Sequence, residues 1–157
     1  MMGLKEAMER DDVGYIKGYI EESIDECSKS VKRDDILHIA SFHGCFKIVK
    51  LMIKEGANVN LIDEQNGAAP LHCASVVGHL KIVKLLIKNS ANLNITCGRG
   101  RNFTPLYLAV HNNCIEVVEL LIKSGADAGI KSKGGHTALD WAKVDGCDKM
   151  IKLLKNL

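Results

Sequence analysis

The chain repeats itself, and that constrains its fold more than anything else in it. Four stretches align on one leucine: "DILHIASFHGCFKIVKLMI" (35–53), "APLHCASVVGHLKIVKLLI" (69–87), "TPLYLAVHNNCIEVVELLI" (104–122) and "TALDWAKVDGCDKMIKLL" (137–154). The anchors Leu37, Leu71, Leu106 and Leu139 are separated by 34, 35 and 33 residues. Three places after each comes an alanine (Ala40, Ala74, Ala109, Ala142), and seven after comes Gly44, Gly78, Asn113 or Gly146. Fourteen after comes Leu51, Leu85, Leu120 or Leu153. Counting 33 residues back from the first anchor reaches Leu4, with Ala7 three places on, which marks a fifth, degenerate unit. A period of this length belongs to arrays whose single units cannot bury their own apolar faces, so that neighbours must stack into one continuous core.

Each unit reads as two short helices and a turn. Thr104 and Pro105 supply an N-cap and a proline at the first helical position, and Thr137 and Asp35 are expected to cap in the same way. Gly44, Gly78 or Gly146 then ends the first helix. In "HLKIVKLLIKN" the residues Ile82, Val83, Leu85, Leu86 and Ile87 form a broad apolar face, with Lys81, Lys84 and Lys88 on the wet edge. Gly56 and Gly125 permit a left-handed exit, for which Ser90 is a less comfortable substitute.

These units resemble the ankyrin repeat family. Its T-P-L-H-x-A pattern stands here as "DILHIA", "APLHCA", "TPLYLA" and "TALDWA", and its tail as "GHLKIVKLLIKNSANLN" (78–94) and "VVELLIKSGADAG" (117–129). The resemblance is strong over 35–157 and weak over 4–34. It implies an all-α solenoid of stacked helix-turn-helix units with projecting β-hairpin turns. The expected organisation is one domain with units at about 1–33, 34–66, 67–101, 102–134 and 135–157, the outer two acting as caps.

The stretch "PLHCASVVGH" (70–79) gathers two histidines and a cysteine, which raises the question of a metal or a Cys-His catalytic site. The repeat register answers it. His72 is replaced by His38, Tyr107 and Asp140 in the other units, Cys73 by Ile39, Leu108 and Trp141, and His79 by Cys45, Cys114 and Cys147. His72 and Cys73 also project about 100° apart on a helix. A packing role is therefore expected, and the resemblance implies a structural hydrogen bond for His72. No G-x-S-x-G, P-loop or H-E-x-x-H occurs, and "GRGRN" (98–102) lacks the strand and lysine of a phosphate loop. No enzyme, cofactor or metal is expected.

Composition narrows the remaining classes. The 157 residues are 46% hydrophobic and 25% charged, with a net charge of +2, so the pronounced basic excess of a dedicated nucleic-acid binder is absent. No apolar run approaches the length that spans a bilayer, about 20 residues, and "MMGLKEAMERDD" is unlike a secretory signal. The six cysteines include no C-x-x-C pair and are expected to be free thiols in a reducing, cytoplasmic or nuclear compartment.

The expected activity is binding of a protein of unknown identity by a monomeric chain. In the family's manner, the site would lie on the hairpin tips and on the exposed face of the first helices. By register the helix residues are Phe42, His43, Val76, Val77, His111, Asn112 and Asp145, and the hairpin residues are Gln65, Asn66, Arg99, Arg101, Phe103, Lys133 and His136. The hairpin "TCGRGRNF" (96–103) is one residue longer than the one before it and two longer than the one after it, and it carries two of the chain's four arginines. There Arg99 and Arg101 are expected to grip a carboxylate or phosphate, with Phe103 packing an apolar group. The alternative is salt-sensitive binding of nucleic acid or an acidic ligand through that loop or a lysine ladder. The ladder comprises Lys47, Lys50, Lys54, Lys81, Lys84, Lys88, Lys149 and Lys152, with Glu116 and Glu119 expected beside Lys81 and Lys84.

Overall fold

The computed structural model describes residues 4–18 and 33–155. The first unit contributes a helix Leu4–Glu9 and a helical stretch over 13–18. The second pairs Arg33–His43 with Phe46–Lys54, and the third pairs Pro70–Val77 with Leu80–Lys88. The fourth pairs Pro105–His111 with Ile115–Lys123, and the fifth pairs Ala138–Asp145 with Asp148–Lys155. Cys27, one of the six cysteines, lies outside the described residues.

Local chemistry sets the helix ends. Thr104 Oγ1 accepts the Tyr107 N–H at 3.1 Å, and Thr137 and Asp140 form a reciprocal capping box. Ala69 has no hydroxyl to offer, and its own N–H is instead taken by His72 Nδ1 at 3.0 Å. Asp35 is not a cap, because the helix already begins at Arg33. Gly44, Gly78 and Gly146 end the first helices with φ of 78°, 88° and 72°. Asn113 holds the same place at 55°, a conformation its short polar side chain tolerates.

The anchors Leu37, Leu71 and Leu106 and the alanines three places on are buried between units, against Ile48, Val49, Met52, Ile82, Val83, Leu86, Val117, Val118 and Leu121. Each buried branched side chain stabilises the stack by about 1.5–3 kcal/mol. Leu85 and Ile87 are only half-buried, so the apolar face of that helix is narrower than its sequence suggests. Small alanines let the first helices approach one another more closely than the second helices do, which curves the stack with the first helices inside.

Two registers tie each unit to the previous one. The residue eight after the anchor reaches back: Cys45 Sγ to the Met8 carbonyl, His79 Nε2 to the Phe42 carbonyl at 3.0 Å, and Cys147 Sγ to Asn113 Oδ1 at 3.6 Å. Cys114 packs against Gly78, and a Cβ built on Gly44 would lie 2.7 Å from the His79 ring. On the other edge Asn60 donates to the Ser90 carbonyl (3.0 Å) and accepts the Asn92 N–H (2.6 Å), while Asn94 accepts the Asp127 N–H (2.9 Å). The projecting hairpins are closed by single pairings rather than ladders. Asp63 N–H bonds to Ala68 O, Ser132 N–H bonds to His136 O, and Cys97 pairs with Phe103 in the one β-bridge among the described residues.

Candidate protein-binding surface

The inner helices expose one stripe. Counted from each anchor, the residues six places on are exposed and those two and five places on are exposed or half-buried, while the anchors and the alanines turn to the core. Phe42 is 48% exposed, Val77 44% and Val144 77%, and Ile39, which the sequence reading left in the frame, is exposed beside them. His43, His111, Asn112 and Asp145 are also exposed, whereas Val76 is half-buried. Phe42 and His43 meet edge to face at 5.4 Å. Asn112 turns its amide back onto the Leu108 carbonyl at 2.9 Å, so part of its hydrogen-bonding capacity is already used.

The hairpins are stitched into a comb. Gly98 N–H bonds to the Asn66 carbonyl at 2.7 Å, and Lys133 N–H to the Arg101 carbonyl at 2.8 Å. Arg99 donates from both its backbone N–H, to Asn66 O, and its Nε, to Gln65 O. Arg99 braces the preceding hairpin, and Arg101 alone projects with no ion pair or side-chain hydrogen bond among the described residues. Gln65, Asn66, Lys133 and His136 keep exposed side chains at the tips.

Phe103 is half-buried, and its ring lies parallel to Tyr107, with centroids 4.9 Å apart and planes 13° apart. Tyr107 approaches Trp141 at 6.3 Å, and His111 stacks on Trp141 at 4.4 Å and 19°. A row of four rings thus runs from a hairpin across two inner helices. The sequence reading missed Tyr107 and Trp141. The available signal was aromatic residues one and two places after consecutive anchors, with Phe103 three places before the first of them.

The histidines of 70–79 are structural. His72 Nδ1 accepts from Ala69, which places the ring proton on Nε2, where it is shared between the Ile95 and Phe103 carbonyls at 3.0 and 3.1 Å. Burial pushes its pKa down to about 4, against the smaller opposing pull of those backbone bonds. Burial likewise raises the thiols, Cys45 and Cys97 to about 11 and Cys73 to about 12, with nearby carboxylates adding to the effect. Thiols held protonated in this way are poor nucleophiles and poor metal ligands. The five described cysteines are unbridged. No group of three His, Cys, Asp or Glu suited to a metal ion occurs among the described residues, and no described helix is long and apolar enough to cross a membrane.

All eight ladder lysines are exposed on the second helices. Glu119 pairs forward with Lys149 at 3.8 Å instead of back with Lys81 or Lys84, an exposed contact worth about 0–1 kcal/mol.

Comparison with known proteins supplies what the geometry alone does not. A family profile described as ankyrin repeats (3 copies) matches residues 5–97, and one described as ankyrin repeats (many copies) matches 86–142. The chain belongs to the ankyrin-repeat family. The first profile begins at residue 5, within the stretch of weak resemblance. A stretch of 51 residues is 43% identical to the nuclear factor NF-kappa-B p105 subunit of Gallus gallus, covering 32% of this chain and 5% of that protein. Ankyrin arrays are in general protein-interaction modules without enzymatic activity.

Proposed function

We propose that the chain is a non-enzymatic, monomeric adaptor, scaffold or steric inhibitor that binds a protein on the inner helix stripe and the hairpin comb. The observation that carries this is the exposed apolar series Ile39, Phe42, Val77 and Val144 on the curved-in side of an array whose other helices expose lysine. Apolar surface in such a series, rimmed by polar residues, marks an interaction site. Backbone bonds between successive hairpins hold this surface in one shape, which lowers the ordering cost of binding. The likeness to a protein named as a subunit agrees with a role in assembly. Protonated, unbridged thiols suit a cytoplasmic or nuclear setting.

The test is affinity capture from lysate at low and moderate salt, with a Phe42→Ser/Val77→Ser variant beside the wild type. A protein retained by the wild type at both salts and weakened by the variant supports the reading. Nucleic acid retained equally by both forms, and only at low salt, would move the function to the lysine ladder.

A further inference from the structure

The hairpin comb changes character along its length. Before the third unit the tip is acidic, with Asp63 and Glu64, and Asp63 accepts the N–H groups of Asn66 and Ala68 within its own turn. Before the fourth and fifth units the tips carry Arg101, Lys131 and Lys133, all exposed, and none is ion-paired among the described residues. The Lys133 N–H to Arg101 carbonyl bond fixes the backbones of these two tips relative to each other.

The carboxylates of the fifth unit's first helix form no ion pair with them. Asp140 is engaged by Thr137 and Lys143, the latter at 3.5 Å. Asp145 stands at the opposite end of the same helix. Beside this basic edge lies the ring row of Phe103, Tyr107, Trp141 and His111. Phe103 stacks on Tyr107 and His111 on Trp141, and Tyr107 is buried, so one face of each ring is covered and the row forms a partly exposed aromatic floor. Bases of a single strand need open ring faces to stack on, and a peptide side chain needs only the floor.

Resting on the protein-binding reading above, we infer that the fourth and fifth units dock an acidic segment of a partner protein. Its carboxylates sit on Arg101, Lys131 and Lys133, and a neighbouring apolar side chain lies against the ring row. Fixed cationic tips favour carboxylates both in steering and in the bound state. The apolar floor sets register, and the third unit, whose hairpin lacks free cations, ends the site.

The experiment selects a phage-displayed library of random peptides against the full chain at moderate salt. Enriched peptides are then synthesised and titrated, with binding read by Trp141, the single tryptophan. The expected peptides carry Asp or Glu beside an apolar residue. Arg101→Glu/Lys133→Glu should weaken them roughly tenfold or more, and exchanging their acids for lysine should restore binding to that variant. Both replaced residues are exposed, and circular dichroism of the variant verifies its fold. Peptides indifferent to this pair but lost with Phe42→Ser/Val77→Ser overturn the acidic site and leave the protein-binding reading standing. Enrichment of no peptide overturns the acidic site. If, in addition, a poly-dT oligonucleotide binds and is lost with Lys81→Glu/Lys84→Glu, the protein-binding reading falls too.

Discussion

Ser41 and Ser75 occupy one register, four places after the anchor, and both hydroxyls are buried without a hydrogen-bond partner. The fourth unit places Val110 there, 2% exposed, so the site itself is apolar and the serines bring an uncompensated desolvation cost. Ser75→Ala should therefore raise stability by about 1 kcal/mol, seen as a higher urea midpoint at unchanged slope. A lower midpoint would mean that the hydroxyl finds an acceptor. Ser90 carries another local cost, a left-handed φ of 65° where Gly56 and Gly125 stand in the neighbouring units. Ser90→Gly should gain about 0.5–1 kcal/mol, because the contact with Asn60 uses the Ser90 backbone carbonyl and survives the change. Ser90 was legible in the sequence as the odd member of a glycine column. The buried serines were not, since whether a hydroxyl has an acceptor depends on coordinates.

At the scale of the helix, caps and the His72 bond network set the stability. Thr137→Ala removes a capping box and should cost about 1 kcal/mol by chemical denaturation. His72 joins the start of its helix to the following hairpin through three backbone groups. Its ordinary pKa is 6.5 and its folded value about 4. Between those values the unfolded chain binds more protons, so stability falls as pH drops through 6.5 and levels off below 4. From pH 7 to pH 5 the wild type should lose about 2 kcal/mol from this group alone. His72→Gln should start less stable at pH 7 and show a flatter dependence. Equal slopes for both proteins would show that His72 is readily protonated in the native state. The repeat register exposed His72 as structural in the sequence, while its partners, 23 and 31 residues away, belong to the fold.

Across the whole molecule, stability passes from unit to unit through nearest-neighbour contacts alone, the eight-after-anchor clasps and the asparagine staples among them. The high thiol pKa values report on this stack. At about pH 8, Cys45, Cys73 and Cys97 should resist alkylation in the native protein and react only through opening of their units. Peptide mass spectrometry along a urea series should show their labelling rising with unfolding, and rapid modification of Cys45 or Cys97 in native buffer would contradict their burial.

The sequence by itself determined the period, the helix pairs and the anchors of the core, because each of these follows from short-range chemistry repeated in register. A leucine that must be buried, a glycine that must turn and a threonine that must cap look the same in every unit. The binding surface was legible only as register positions. Which of them join depends on how far each unit rotates on the last and where each hairpin falls against the next. Only the tertiary structure committed Arg99 to the Gln65 carbonyl, left Arg101 and Lys133 unpaired, and brought Tyr107 and Trp141 into line with Phe103. The bond from Arg99 to Gln65 and the approach of Tyr107 to Trp141 each join residues 34 apart, and they are set by how one unit stacks on the next.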